Sequence, residues 1–232
     1  MDQSLALEAL ARCPLFAHAS PAVLGSVVAG LRRRRFRRNE VIFHQGDPGD
    51  SLHIVAAGAV KIVLPSPEGE EAIIATLWPG DFFGELSLLD GAPRSATVTA
   101  LEPTETFVLP RSAFLEFVER DSALRDALLF GLARELRRLT GHVEELHFLD
   151  LAGRLAKRLT RLAREAVPDA EGPIEVSLDW PYTQSDLASM IGGTRQSVNK
   201  LLSGLVDEGL LVIDRDRLVI TNLALLESRA ER

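Results

Sequence analysis

The stretch Phe82–Val98, FFGELSLLDGAPRSATV, decides how this chain is read. Glu85 and Arg94 stand in segments whose other residues look buried, and Asp90-Gly91-Ala92-Pro93 between them is a chain-reversing turn. Removing a charge from water is unfavourable unless something neutralises it. Either the two residues pair with each other across the turn, or they face a polar, charged ligand.

The surroundings supply a frame for that site. From about residue 36 to 110 the chain runs in short apolar segments: VIF, LHIVAAG, AVKIVLP, EAIIATLWPG, SATVTALEP and ETFVLP. Turn signals recur at Gly46–Asp50, Pro65–Gly69 and Pro79–Asp81. Strands at such spacing predict an all-β sandwich or jelly roll. Helical patterns bracket it, at Leu5–Leu10 and Pro21–Leu31 before and from Ser112 after. The basic run Arg32–Arg38, RRRRFRR, reads as a solvated strand edge rather than a nucleic-acid patch.

Asp121 to Leu149 contains no proline, and Leu124, Leu128, Leu132, Leu136, Leu139, Val143 and Leu146 recur every three or four residues. That is one apolar stripe on a helix of about 29 residues and about 43 Å. The rod is longer than one small domain needs, so pairing with a second copy as a parallel coiled coil is expected.

After Asp150 the grammar changes. Leu151–Ala166 is an amphipathic helix, Pro168–Pro173 a loop, Ile174–Leu178 a short strand, and VIDRDRLVI a hairpin around Asp214-Arg215-Asp216. Between them, Thr183 with Asp186 three residues on makes a helix N-cap. Leu187, Ala188 and Ile191 face inward, Gly192-Gly193 breaks the helix, and Thr194 caps a second one with Val198, Leu201, Leu202 and Leu205 buried. Its outer face starts with Thr194, Arg195, Gln196, Ser197, Asn199 and Lys200, which is helix-turn-helix grammar with a trailing wing. Arg195 suits a guanine edge and Gln196 an adenine edge. Thr194 and Ser197 suit phosphates, and Lys200 reaches either. Thr183 joins these as a DNA-binding candidate, and Tyr182, Arg215 and Arg217 are weaker ones.

Bulk numbers limit the alternatives. With 232 residues, one or two domains are allowed. The net charge of −7 argues against a protein that coats nucleic acid, and from Asp150 onward 11 Lys/Arg stand against 13 Asp/Glu, so basic residues there act by placement. Apolar runs fall short of the roughly 18 residues of a membrane span, and the N-terminus lacks a secretion signal, so a cytoplasmic protein is expected. One cysteine, Cys13, excludes an internal disulfide and an iron–sulfur cluster. The five histidines are scattered and no HExxH or GxSxG occurs, so neither an enzyme nor a metal cofactor is expected.

Gly84-Glu85-Leu86-Ser87, Pro93-Arg94-Ser95-Ala96, Phe148-Leu149-Asp150 and Gly192-Gly193-Thr194-Arg195, in this order, resemble the Crp/Fnr superfamily of bacterial transcription regulators over nearly the whole chain. The resemblance implies an α+β fold: a jelly-roll cyclic-nucleotide-binding domain over 1–120, a dimerisation helix over 121–149 and a winged helix-turn-helix over 150–232. It implies that Glu85 accepts from a ribose hydroxyl, and that Arg94 and Ser95 hold a cyclic phosphate with help from amides near Gly84 and Leu86. Ser87 completes that motif. A guanidinium grips phosphate bidentately, which suits the role.

Leu139 and Thr140 fall where adenine-reading members carry two polar residues, and Leu139 can neither donate nor accept. Glu135 stands where some members carry an arginine, and near Glu85 it would repel. Cyclic AMP is the expected effector; a cyclic dinucleotide, action without ligand, or an interaction module that never touches DNA are the alternatives. A homodimer, a palindromic operator and RNA polymerase are the implied partners.

Overall fold

The glycine at position 84 stands between a two-residue strand, Phe82–Phe83, and a short helix that starts at Glu85. The structure is a computed structural model and describes residues 3–167, 172, 174–214 and 217–230. It divides into two units, the first running to Arg137 and the second starting at Arg138.

The first unit opens with α1 (Gln3–Arg12) and α2 (Pro21–Gly30), the latter capped by the Ser20 hydroxyl, which accepts from the Val23 N–H. The strands are β1 (Arg32–Phe36), β2 (Val41–Phe43), β3 (Ser51–Ala57), β4 (Val60–Pro65), β5 (Glu71–Leu77), β6 (Phe82–Phe83), β7 (Thr97–Ala100) and β8 (Thr104–Pro110). Between β6 and β7 lies a short helix, α3 (Glu85–Asp90). They form two antiparallel four-stranded sheets ordered β1-β8-β3-β6 and β2-β7-β4-β5.

The sheets face each other through Val55, Val60, Phe83 and Val98, and this is the expected jelly roll. A larger core on the other side of the first sheet joins α1, α2 and α4 (Arg111–Arg120) through Leu10, Phe16, Leu52, Phe107 and Phe114, with Cys13 fully buried among them. β1 is the expected solvated edge. All four of its arginines are exposed, and Glu105 on β8 pairs with both Arg33 and Arg35.

Helix α5 (Ser122–Phe148) carries the leucine stripe, but the stripe does not serve one purpose. Leu124 and Leu128 are buried in the first unit's core and Leu132 packs against it. Leu136, Leu139, Val143 and Leu146 are exposed.

The second unit contains the end of α5, then α6 (Leu151–Ala166), whose N-cap Asp150 accepts from the Gly153 N–H. A three-stranded antiparallel sheet follows, in the order β10 (Leu211–Asp214), β11 (Arg217–Ile220), β9 (Val176–Asp179). The hairpin's central Arg215 and Asp216, and most of the expected loop over 168–173, lie outside the described residues. β9 starts two residues later than the apolar pattern predicts. Between β9 and β10 stand α7 (Gln184–Ile191) and α8 (Arg195–Asp207), and α9 (Leu223–Ala230), a helix that no sequence pattern pointed to, follows β11. Among the described residues no helix is long and apolar enough to cross a membrane, and no group of side chains could hold a metal ion.

Candidate functional site

Gly84 has φ of 90°, a left-handed conformation that a side chain resists, and it precedes the first turn of α3. A Cβ there would stand 2.5 Å from Arg94 Nη1 and 3.0 Å from the Ser51 carbonyl oxygen. The glycine is therefore what allows the Arg94 guanidinium to lie against the backbone. Nη1 donates to the Gly84 carbonyl at 2.7 Å, and Nη2 to the Ser51 carbonyl at 2.8 Å and the Ser51 hydroxyl at 3.3 Å. The group is 3% exposed and lies 4.2 Å above the Phe43 ring, a cation–π contact. Its Nε–H is buried without a hydrogen-bond partner.

Glu85 makes no ion pair with Arg94; the exposed Asp50 does, at a loose 3.6 Å. Pairing across the turn is thus not how the half-buried Glu85 and the buried Arg94 are reconciled. Burial pushes the Glu85 carboxyl up, the nearby Glu135 carboxylate pushes the same way, and its own backbone N–H and Arg94 oppose them. The anticipated repulsion from Glu135 is present. Burial also lowers the Arg94 guanidinium, against Asp50, Glu85 and Asp47. Ser95, next along, is exposed, and its carbonyl accepts from Gln45 Nε2. Leu86 is exposed and Ser87 buried. Leu139 and Thr140 are exposed on α5, in the second unit.

Three residues at this site escaped the sequence reading: Phe43, Ser51 and His53. A lone histidine within the apolar strand SLHIVAA was the available signal, because a polar ring at a buried strand position needs partners.

In the second unit, Thr183 caps α7 with a reciprocal bond to Asp186, its hydroxyl donating to Asp186 Oδ2 at 2.7 Å while accepting from the Asp186 N–H. Gly192, with φ of 68°, turns the chain, and Thr194 caps α8 by accepting from the Ser197 N–H. Leu187, Ala188, Ile191, Val198, Leu202 and Leu205 are buried as the pattern predicts, whereas Leu201, expected with them, is half-buried. Thr194, Arg195, Gln196, Asn199 and Lys200 are exposed at the start of α8, and Ser197 is half-buried. Gln184, which the sequence reading passed over, donates from Nε2 to Asn199 Oδ1 at 2.9 Å and so steadies one member of that face.

Comparison with known proteins decides the family. Residues 33–121 match the cyclic nucleotide-binding domain and residues 153–229 the Crp-like helix-turn-helix domain. This chain belongs to the Crp/Fnr family of transcription regulators. Among similar relatives is the CRP-like cAMP-activated global transcriptional regulator of Mycobacterium tuberculosis, 32% identical over 96% of this chain and 99% of that protein. Another is the cyclic AMP receptor protein of Thermus thermophilus, 32% identical over 94% of this chain and 96% of that one. FixK2 of Bradyrhizobium japonicum, at 24% identity and TM-score 0.75 over 85% of this chain and 96% of its own, shares the fold. Within that family frame, the Gly84–Arg94 grip lies inside the nucleotide-binding match and the α7–α8 pair inside the helix-turn-helix match.

Proposed function

We propose that this Crp/Fnr regulator binds cyclic AMP in the jelly roll and, as a cytoplasmic homodimer, transmits that binding to two helix-turn-helix heads on a palindromic operator beside RNA polymerase. The observation that carries the effector reading is Arg94: a guanidinium removed from water, with an unmet Nε–H donor and no full ion pair. An anionic phosphate supplies the missing acceptor and the missing charge, and Glu85 accepts from the sugar hydroxyl. Gly84, Leu86 and Ser87 contribute backbone and hydroxyl groups around it, and Ser95 a hydroxyl. Leu139 and Thr140 are assigned to the base by family resemblance.

Arg195, Gln196 and Lys200 read base edges while Thr183, Thr194, Ser197 and Asn199 hold the backbone. Two heads address half-sites about 34 Å apart. Ligand shifts the DNA-binding equilibrium only through differential affinity, about 1.4 kcal/mol for each tenfold preference.

Thermal shift across a panel of cyclic mono- and dinucleotides tests the effector. Cyclic AMP should raise the melting temperature of the wild type and leave Arg94→Ala unmoved, and a response to dinucleotides alone would replace it. In a gel shift, Arg94→Ala should lose ligand-stimulated operator binding while its sedimentation stays that of the wild type. A full ligand response by that variant would overturn the pocket.

A further inference from the structure

β3 runs between β8 and β6, which puts His53 opposite Val108 on one side and Phe83 on the other, in the middle of its sheet. The ring is 2% exposed and stacked on Phe83 at 4.9 Å with 17° between planes. Its edge meets Phe43, the same ring that carries the Arg94 guanidinium. Nδ1 lies 3.2 Å from Thr106 Oγ1, and Nε2 lies 3.4 Å from Ser51 Oγ.

The bonding capacity of the serine settles the tautomer. A hydroxyl has one hydrogen to give and two lone pairs to receive with. Ser51 gives its hydrogen to Asp50 Oδ1 at 2.8 Å, since a carboxylate can only accept, and receives one from Arg94 Nη2 at 3.3 Å. Toward His53 it can therefore only accept. The imidazole carries its proton on Nε2, and bare Nδ1 accepts from the Thr106 hydroxyl. Burial, then Arg94 and Arg34, with Asp50 opposing, hold the ring neutral, down to about 3.

We propose that His53 is a positioning residue for the effector's phosphate site: its Nε2–H fixes the Ser51 hydroxyl, and Ser51, through that hydroxyl and its own carbonyl, fixes Nη2 of Arg94. The proposal rests on the reading of Arg94 as the phosphate-binding group. A histidine that merely filled the core would be replaced by phenylalanine without consequence for Arg94, because the stack on Phe83 would persist.

The test uses the full-length protein with His53→Phe, His53→Gln, Ser51→Ala and the His53→Phe/Ser51→Ala double variant. Glutamine reproduces a donor near the Nε2 position. Calorimetric titration with cyclic AMP should show His53→Phe binding about tenfold more weakly, the size of one lost hydrogen bond. Glutamine should recover most of that loss, and the phenylalanine change should add nothing once Ser51 is alanine. Wild-type affinity in His53→Phe, or an undiminished further loss in the double variant, overturns the proposal.

A second readout needs no ligand, which separates this proposal from the reading beneath it. The Arg94 Nε–H resonance of the free protein should shift and exchange faster in His53→Phe and return in His53→Gln. If the wild type binds no cyclic nucleotide, the effector reading fails and this resonance alone judges His53. An unchanged resonance refutes the positioning role.

Discussion

At the scale of single residues, the first unit shifts the titration of two ionisable groups, His53 and Glu85, in opposite directions. His53 is held near 3 when folded, against 6.5 when free. Between those values an unfolded chain takes up a proton that the native chain refuses. The stability owed to the neutral ring is therefore complete above about pH 6.5 and is lost as pH falls toward 3. Urea titrations at pH 7 and pH 5 should show the wild type losing about 2 kcal/mol more than His53→Phe over that interval, at about 1.4 kcal/mol for each pH unit below 6.5. Glu85 works in the opposite sense, because its carboxyl is raised and its contribution fades as pH climbs through the folded value. Because both proteins keep Glu85, its contribution cancels in the comparison with His53→Phe.

Much of this was legible in advance. Glu85 and Arg94 are conspicuous because charge beside buried apolar residues demands an explanation. Ser51 and Phe43 were not, since a serine and a phenylalanine in strands are unremarkable until the folded backbone brings a chain segment 43 residues distant against Arg94.

At the scale of elements, α5 and α6 carry the informative cases. The leucine spacing made the helix plain, but periodicity cannot say which neighbour a stripe meets. The structure splits it, with Leu124 and Leu128 inside the first core and Leu136 and Val143 left 67% and 59% exposed. Exposed apolar positions at helical spacing suit a self-complementary contact. Leu136→Glu with Val143→Glu should convert the proposed homodimer to a monomer in sedimentation velocity while far-ultraviolet circular dichroism stays unchanged.

α6 is tied to the end of α5 by Glu145, which is 8% exposed and accepts from Arg161 at 2.5 Å, with Lys157 at 3.6 Å and His142 at 3.7 Å. No motif announced this cluster, because ion pairs between neighbouring helices depend on their rotation. Arg161 and Lys157 are partly exposed and can turn to water when the carboxylate is removed, which limits the loss. Glu145→Ala should lower the unfolding free energy by about 1 kcal/mol, measured by denaturant titration. α3 had no signal of its own: six residues between a glycine and a turn carry too little periodicity to separate helix from strand.

At the scale of the whole molecule, order along the chain was the strongest signal. A β-rich block, a long helix and a winged reading head follow one another as the patterns predict, because each class has its own period in the sequence. α9 escaped, being eight residues in which the apolar positions do not form a distinctive stripe. Linkage offers a check on the assembled protein: an effector at a hundred times its dissociation constant should stabilise the unit that binds it by about 2.7 kcal/mol.

The lone thiol offers an independent clock for that same event. Cys13 is sealed inside the larger core, where burial pushes it up to about 12, and the chain has no other cysteine to confuse the signal. A chromogenic disulfide reagent can modify it only during excursions in which the surrounding helices come apart. The labelling rate of the intact protein therefore counts those excursions, and saturating effector should slow it in proportion to the stabilisation it confers.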